Sequence, residues 1–455
     1  MRMKNIVLIG ISGSGKTAVG ERLARRLSRE FIDLDSFISN REESSIEQIF
    51  NERGEEGFRL AETEAAKVAA GRKNAVIACG GGVVLKKTNM EALSRNGIVI
   101  FMNRPIKDIL ENVDLKDRPL LKDIPEKLYA LYRDREVLYD KYADFEVNCA
   151  EGRDKTLEQL IRISGLEQSK KKLAVIGDPI SQSLSPDIHI PALRPFVKSI
   201  SYERAEVKKG SLSRWIPEAG RVALDGFNVT MPHKEDIIGF LDRIDEEAQE
   251  AGSVNTVVKR DGSLWGYNTD GDGFAGAVES IGESFYGSAV TIIGSGGAAA
   301  TIAMKAAKKG AAEIHITARN QDKAELICQK IKNSYKTRCK VHPFNFQDNG
   351  DARWDSRIIV NTTPLGMKGM GNNFRRFDFL DNVNKDALIC DLIYSPLKTG
   401  LLSEAEKRGL KTLWGITMLI EQALRADCLY LGAIIKREKA YKRIIENLKG
   451  KVEGI

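Results

Sequence analysis

Two sets of residues in this chain fall at spacings that suit two different reactions. Near the middle, Gly226-Phe-Asn-Val-Thr230-Met-Pro-His-Lys234 runs from a short apolar stretch into a polar turn stiffened by Pro232, which aims the Lys234 ammonium and the Thr230 hydroxyl at one small space. Such a space suits a polyhydroxylated molecule, although a strand end followed by a helix beginning with Lys would read the same. Downstream, Asn255-Thr256 and Asn268-Thr269-Asp270-Gly271 flank an Asp261-Gly262 turn typical of a hairpin, which would return the chain so that Asn255 approaches Asp270. A buried Asp270 beside Lys234 would need that ammonium as its partner. Taken alone, Asp270 is equally a helix cap before Phe274. Upstream, Ser183 and Ser185 stand beside Pro186, a hydroxyl pair able to hold a carboxylate without adding charge, or simply a serine-rich turn.

The second reaction is phosphoryl transfer. Gly10-Ile-Ser-Gly13-Ser14-Gly15-Lys16-Thr17 lies between an apolar run, residues 5–9, and a helical repeat of Val19, Leu23 and Leu27. In that context the glycines let backbone N–H groups wrap phosphates, Lys16 neutralises the outer groups and Thr17 can hold magnesium. Asp33 and Asp35 alternate with Ile32 and Leu34, so a continued strand would put both carboxylates on one side, one near the metal and one able to take a hydroxyl proton. An acidic, solvated strand end would look alike. Arg59 with Glu62, Gly80-Gly81-Gly82 after the apolar residues 75–78, and Asp117-Arg118-Pro in a polar loop are each weak signals alone.

A third constellation points to a dinucleotide. The apolar residues 289–293 run into Gly294-Ser295-Gly296-Gly297-Ala298-Ala299, then a helix to about residue 309, then a second strand, residues 313–317. A strand, glycine turn, helix and strand place a pyrophosphate on the helix N-terminus. Where an NAD site normally puts an acidic residue against the ribose, this chain has Ala318-Arg319-Asn320-Gln-Asp-Lys323, so Arg319 and Lys323 favour the 2′-phosphate of NADP. Solvated surface charge is the plain alternative.

These groups need α/β scaffolds, and the chain has room for them. Its 455 residues suggest about three compact units. The net charge of +7 is modest and its Lys and Arg are dispersed, which argues against nucleic-acid binding. Cysteines at 79, 149, 328, 339, 390 and 428 show no paired or metal-ligand spacing, so neither a disulfide framework nor a zinc site is expected, and a reducing cytoplasm fits. No targeting segment is expected, because the first strand and loop begin at once. The apolar residues 416–435 are interrupted by Glu421, Arg425 and Asp427, which makes a core helix rather than a membrane span.

Over residues 5–164 the features of the first third together resemble shikimate kinase. On that resemblance Gly10, Gly13, Ser14, Gly15, Lys16 and Thr17 bind ATP, with Mg2+ held by Thr17 and Asp33. Asp35 holds the shikimate hydroxyls and acts as base, and Arg59 and Arg135 clamp the carboxylate, as planar guanidinium groups do well. Gly80, Gly81 and Gly82 allow close backbone approach, and Arg118 arrives on a lid to neutralise the transferring group and bind ATP. The Arg that this family usually carries shortly before the lid, stacked on adenine, is missing from residues 108–113.

From residue 173 onward, Gly-x-Asn-Val-Thr-x-Pro-x-Lys and its surroundings resemble the shikimate dehydrogenases. Gln182 and Ile190 replace the His and Asn usual around the two serines. The resemblance implies Lys234 and Asp270 as the catalytic pair. It implies Ser183, Ser185, Thr230, Asn255, Tyr394 and Gln422 as further shikimate ligands, and Gly294, Ser295, Gly296, Gly297, Ala298, Arg319, Asn320, Lys323, Gly415 and Met418 around NADP(H).

The expected architecture is therefore α/β throughout. A P-loop NTPase-like parallel sheet with a lid occupies residues 1–166, and residues 167–172 are a linker. A two-lobed dehydrogenase follows: residues 173–273, completed by 415–455, form the catalytic lobe, and residues 274–414 form a Rossmann-type NADP-binding lobe. The expected activities are NADPH-dependent reduction of 3-dehydroshikimate and ATP-dependent phosphorylation of shikimate, two steps of aromatic amino acid biosynthesis. A metabolite sensor without turnover is a rival, disfavoured because Lys16, Thr17, Asp35, Lys234 and Asp270 are all retained. A quinate-preferring dehydrogenase is a nearer one. Only small-molecule partners are expected, with no nucleic acid or membrane, and oligomeric state is not legible.

Overall fold

The computed structural model describes residues 3–112, 125–344, 354–369, 373–449 and 451. Arg118 lies outside the described residues. The chain separates into two compact units: Met1–Ser169 with Phe196–Lys198 and Leu431–Arg443, and Lys170–Pro195 with Ser199–Tyr430 and Ile444–Ile455. Residues 415–455, expected wholly in the dehydrogenase, are thus divided between the two.

In the first unit the apolar runs Asn5–Ile9, Ala75–Ala78 and Gly97–Asn103 make strands buried on both faces, as the centre of a parallel sheet covered by helices requires. The order is Ile434–Ile435, Phe145–Asn148, Gly97–Asn103, Asn5–Ile9, Ala75–Ala78, Glu30–Asp33. All neighbours are parallel except Ile434–Ile435, which runs antiparallel to Phe145–Asn148. The strand bearing Asp33 ends there: Asp33 caps the helix Leu34–Glu42 by accepting from the Ser36 N–H at 3.1 Å. Asp35 therefore projects from a first helical turn. This corrects the expected strand alternation, because a capping carboxylate satisfies free helix N–H groups that a longer strand would not supply.

The second unit carries two six-stranded sheets among the described residues. One has the order Ser199–Glu206, Lys170–Gly177, Gly226–Val229, Thr256–Arg260, Ser263–Tyr267, Arg243–Ile244. The hairpin joining Thr256–Arg260 to Ser263–Tyr267 turns on Asp261 and Gly262, both with positive φ (49° and 82°), the handedness that matches strand twist. The other sheet is wholly parallel: Arg338–Pro343, Glu313–Ala318, Ala289–Ile293, Ile358–Asn361, Leu388–Asp391, Lys411–Leu413. Numbered along the chain this is the order 3-2-1-4-5-6 of doubly wound nucleotide-binding sheets, with the crevice beside Ala289–Ile293. Its core includes Val290, Ile292, Ile302, Ile314 and Ile316.

Cys328 and Cys339 form a disulfide between the helix Gln321–Ser334 and the strand Arg338–Pro343, against the expectation of none. They meet because a helix packs back on the next strand, a contact that their spacing of eleven does not advertise. No group of His, Cys, Asp or Glu side chains suited to a metal cluster occurs among the described residues. No described helix is long and apolar enough to cross a membrane.

Candidate active sites

In the first unit the loop after Asn5–Ile9 wraps the start of the helix Lys16–Leu27. The Lys16 ammonium donates to the Gly10 and Ile11 carbonyls, each at 2.8 Å, and approaches the Ser14 hydroxyl at 3.3 Å. The Thr17 hydroxyl donates to Asp33 at 2.6 Å, which brings together the oxygen donors a hard dication prefers. Arg104, at the end of Gly97–Asn103, donates to the Gly13 carbonyl at 3.3 Å, and its Nε is buried without a hydrogen-bond partner.

The glycine run builds the neighbouring floor. A Cβ on Gly80 would lie 2.6 Å from an Asp35 carboxylate oxygen, and one on Gly82 would lie 2.4 Å from the Arg59 guanidinium. One on Gly81 would stand 3.7 Å from an Arg135 nitrogen. Asp35, Arg59 and Arg135 thus converge over three residues that have no side chain to obstruct them. Arg59 is braced by Glu62 at 2.9 Å and Glu55 at 3.2 Å. Burial pushes the Glu62 carboxyl above its ordinary value, and the Arg59 charge opposes the rise. Tyr139 donates to the Gly81 carbonyl at 2.6 Å, tying the helix Pro125–Tyr142 to the floor. Sequence alone assigns no role to Glu62 or Tyr139. The spacing of three from Arg59 to Glu62 on a helix was the available signal for the former.

In the second unit Lys234 follows Gly226–Val229, and its carbonyl accepts from the Val254 N–H at 2.8 Å. Its ammonium lies 2.5 Å from Asp270, the first residue of the helix Asp270–Ser280, where the helix end favours a carboxylate. The Asn255 amide donates to Asp270 at 2.7 Å, to Thr269 at 3.0 Å and to Gln422 at 3.3 Å. Four of the expected ligands are therefore in one hydrogen-bonded cluster. Thr269, which is absent from the expected ligands, joins them and donates to Gln422 at 3.2 Å.

Thr230 is packed against Gly177, where a Cβ would fall 2.5 Å from its methyl group. Beyond Gly177 the chain turns to Ser183, which donates to Ser185 at 3.1 Å, and the turn is pinned where the Ser183 carbonyl accepts from Arg204 at 2.7 Å. Tyr394 lies on the loop after Leu388–Asp391, and burial raises its phenol pKa.

The glycine turn combines one close approach with open backbone at the start of a helix. Gly294 has φ 122°, and a Cβ there would meet the Thr362 hydroxyl at 2.5 Å. At Gly296 a Cβ would meet nothing within 4 Å, so that backbone faces open space at the start of the helix Gly297–Lys308. The Ser295 hydroxyl donates to the Asn320 carbonyl at 3.2 Å, joining the turn to the exposed Arg319, Asn320 and Lys323. Ala298 follows in the first helical turn. Gly415 comes so close to the Leu392 and Ile393 carbonyls that a Cβ would lie 2.5 Å from each. Met418 is core, packed with the Rossmann-type sheet.

Residues 12–164 match the family described as Shikimate kinase. Residues 175–257 match the Shikimate dehydrogenase substrate binding domain, and residues 277–345 match Shikimate / quinate 5-dehydrogenase. A shikimate dehydrogenase (NADP(+)) of Nitrosopumilus maritimus is 37% identical over 262 residues, 58% of this chain and 93% of that protein. Among solved structures, the Thermus thermophilus shikimate 5-dehydrogenase in complex with NADP(H) and shikimate aligns with a TM-score of 0.53 at 28% identity, over 61% of this chain and 100% of that one. The quinate dehydrogenase of Corynebacterium glutamicum in complex with NAD aligns with a TM-score of 0.53 at 25% identity, again over 61% and 100%.

Proposed function

The chain belongs to the shikimate dehydrogenase family and carries a shikimate-kinase-like domain ahead of that part, and from this premise we propose how one polypeptide performs two consecutive steps. It reduces 3-dehydroshikimate to shikimate with NADPH and phosphorylates shikimate from MgATP. The observation that carries the reading is the Lys234, Asp270, Asn255 and Gln422 cluster, a proton donor held at 2.5 Å by a carboxylate among groups that bond hydroxyls.

NADPH, when bound, supplies the hydride. Lys234 gives a proton to the ketone oxygen as that oxygen gains charge, and Asp270 fixes the ammonium while Asn255 fixes Asp270. Thr230, Gln422 and Tyr394 orient the ring, and Ser183 and Ser185 hold its carboxylate. Gly415 and Met418 border the nicotinamide. Arg319, Asn320 and Lys323 receive the 2′-phosphate, the feature that separates NADP from NAD.

MgATP supplies the phosphoryl group in the other unit. Asp35 accepts the hydroxyl proton, Arg59 and Arg135 hold the carboxylate, and Lys16 neutralises phosphate charge. Thr17 and Asp33 are oxygen donors suited to magnesium. Arg118 would contribute from outside the described residues. The protein's partners on this reading are small molecules, and the Cys328–Cys339 bridge removes the cysteine argument for a reducing cytoplasm.

A coupled assay tests the whole reading: purified protein receives 3-dehydroshikimate, NADPH and MgATP, and the expected products are NADP+, ADP and shikimate 3-phosphate. Oxidation of NADPH without phosphorylation would leave only the reductase, and neither reaction would defeat the proposal. The likeness to a quinate dehydrogenase makes quinate with NAD the necessary control.

A further inference from the structure

The sheet of the kinase-like unit ends on a strand from the far end of the chain. Phe145–Asn148 would otherwise be its edge, an open row of backbone donors and acceptors. Ile434 and Ile435 pair antiparallel with Glu146 and Phe145, and the Lys436 N–H donates to the Asp144 carbonyl at 3.0 Å. The Lys436 ammonium then sits 2.6 Å from Asp140 and 2.8 Å from Glu146, above the Phe101 ring at 6.0 Å. Lys439 meets Asp144 at 3.1 Å.

We propose that Lys436, carried by this strap of residues 431–443, is a positioning residue of the kinase reaction. The inference rests on the kinase reading given above. Asp140 stands in the last turn of the helix Pro125–Tyr142, where the helix end repels a carboxylate, and Asp144 and Glu146 follow closely. Three acidic groups gathered there need cations, and the strap brings two. Lys436 therefore fixes the end of the helix whose preceding turns carry Tyr132, Arg135 and Tyr139. Glu146 also accepts from Asn103 at 2.9 Å, and Asn103 accepts from Tyr132 at 3.1 Å, so the same ammonium steadies a second route to that helix. What it positions is Arg135, beside Gly81 on the pocket floor.

The test uses the full chain. Lys436→Glu places a carboxylate between Asp140 and Glu146, Lys436→Gln removes the charge more mildly, and Lys436→Arg preserves it. The expected result for Lys436→Glu is a KM for shikimate in the kinase assay raised about fivefold or more, while kcat and both reductase constants move less than about twofold. Lys436→Gln follows in the same direction, and Lys436→Arg and the exchanged pair Lys436→Glu with Glu146→Lys recover most of the loss. Hydrogen exchange of residues 128–148 in Lys436→Glu accelerates about tenfold or more, beyond any change in the strand Asn5–Ile9. Unchanged KM and unchanged exchange in the Glu and Gln variants overturn the proposal. Exchange that rises evenly through the unit with KM unaltered also overturns it, since Lys436 would then only stabilise. If the wild-type chain does not phosphorylate shikimate, the kinase reading fails, and the exchange of residues 128–148 alone decides the role of the strap.

Discussion

Asp391 offers a prediction whose size follows from its surroundings. It ends the strand Leu388–Asp391, is 1% exposed, and accepts from Asn361 at 3.0 Å, the Ile393 N–H at 3.1 Å and Thr399 at 2.6 Å. One carboxyl thereby joins the end of a neighbouring strand, the loop leading to Tyr394 and the cap of the helix Gly400–Lys407. Burial pushes its pKa up to about 6, and the three hydrogen bonds recover part of the lost charge stabilisation. An unfolded Asp titrates near ~3.9, so between the two values the folded chain keeps a proton that the unfolded chain has lost. The stability this group contributes is full below about pH 4 and is lost as pH rises through 6, roughly 3 kcal/mol in all. Asp391→Asn keeps one acceptor oxygen for Asn361 and Ile393, while the Thr399 hydroxyl can turn to accept from the new amide. The variant cannot titrate there. Relative to wild type it should gain roughly 2 kcal/mol of unfolding free energy between about pH 4.5 and 7.5, or on the order of 4–8 °C in the reductase transition. Urea or thermal unfolding across that range measures it, with the kinase transition as internal control. A variant-minus-wild-type difference that stays flat with pH would refute the argument.

Three further outcomes test the sites directly. Lys234→Met should lower reductase kcat about 10²–10⁴-fold, the range for loss of a general acid, and leave the kinase rate unchanged in the same preparation. Gly82→Ala puts a methyl group where the Arg59 guanidinium stands at 2.4 Å, braced by Glu62, so the kinase KM for shikimate should rise about tenfold with reductase constants unaffected. Arg319→Ala with Lys323→Ala should raise KM for NADPH about tenfold and that for NADH less than about twofold, read from initial rates with each cofactor.

Legibility differed with the reach of the signal. The phosphate loop and the dinucleotide turn were readable because their glycines are fixed by local backbone demands, and the Asp261-Gly262 turn was readable because a two-residue hairpin requires positive φ. That turn places Asn255 beside Asp270, so the reductase cluster could be anticipated from three separated stretches. Asp33 touches the loop through Thr17, and Asp35 stands against Gly80, but strand alternation puts Asp35 on the wrong element. A strand pattern of four letters is indistinguishable from a strand that stops at a capping Asp. The Cys328–Cys339 bridge and the pairing of Ile434–Ile435 with Phe145–Asn148 had no local signature, since each depends on which surfaces the fold brings together. Lys436 is read from sequence as one more dispersed charge. The Asp140 and Glu146 carboxylates against its ammonium come together only in the fold.

The two proposed pockets would grip the same carboxylate by opposite means, and the charge already present in each explains the choice. In the kinase-like unit, the carboxylates of Asp33, Asp35 and Glu62 would be joined by the phosphate chain of ATP on the proposed reading. A carboxylate entering such a field needs the full charge and planar geometry of Arg59 and Arg135. In the reductase the Lys234 ammonium is balanced by Asp270 at 2.5 Å, so the cluster is close to neutral before substrate arrives. An arginine clamp there would add an unbalanced cation that competes with Lys234 for Asp270. On the proposed reading the Ser183 and Ser185 hydroxyls would instead bind a carboxylate without altering the net charge, which would leave the Lys234–Asp270 pair to respond to charge that develops on the ketone oxygen, the one place where stronger binding in the transition state raises the rate.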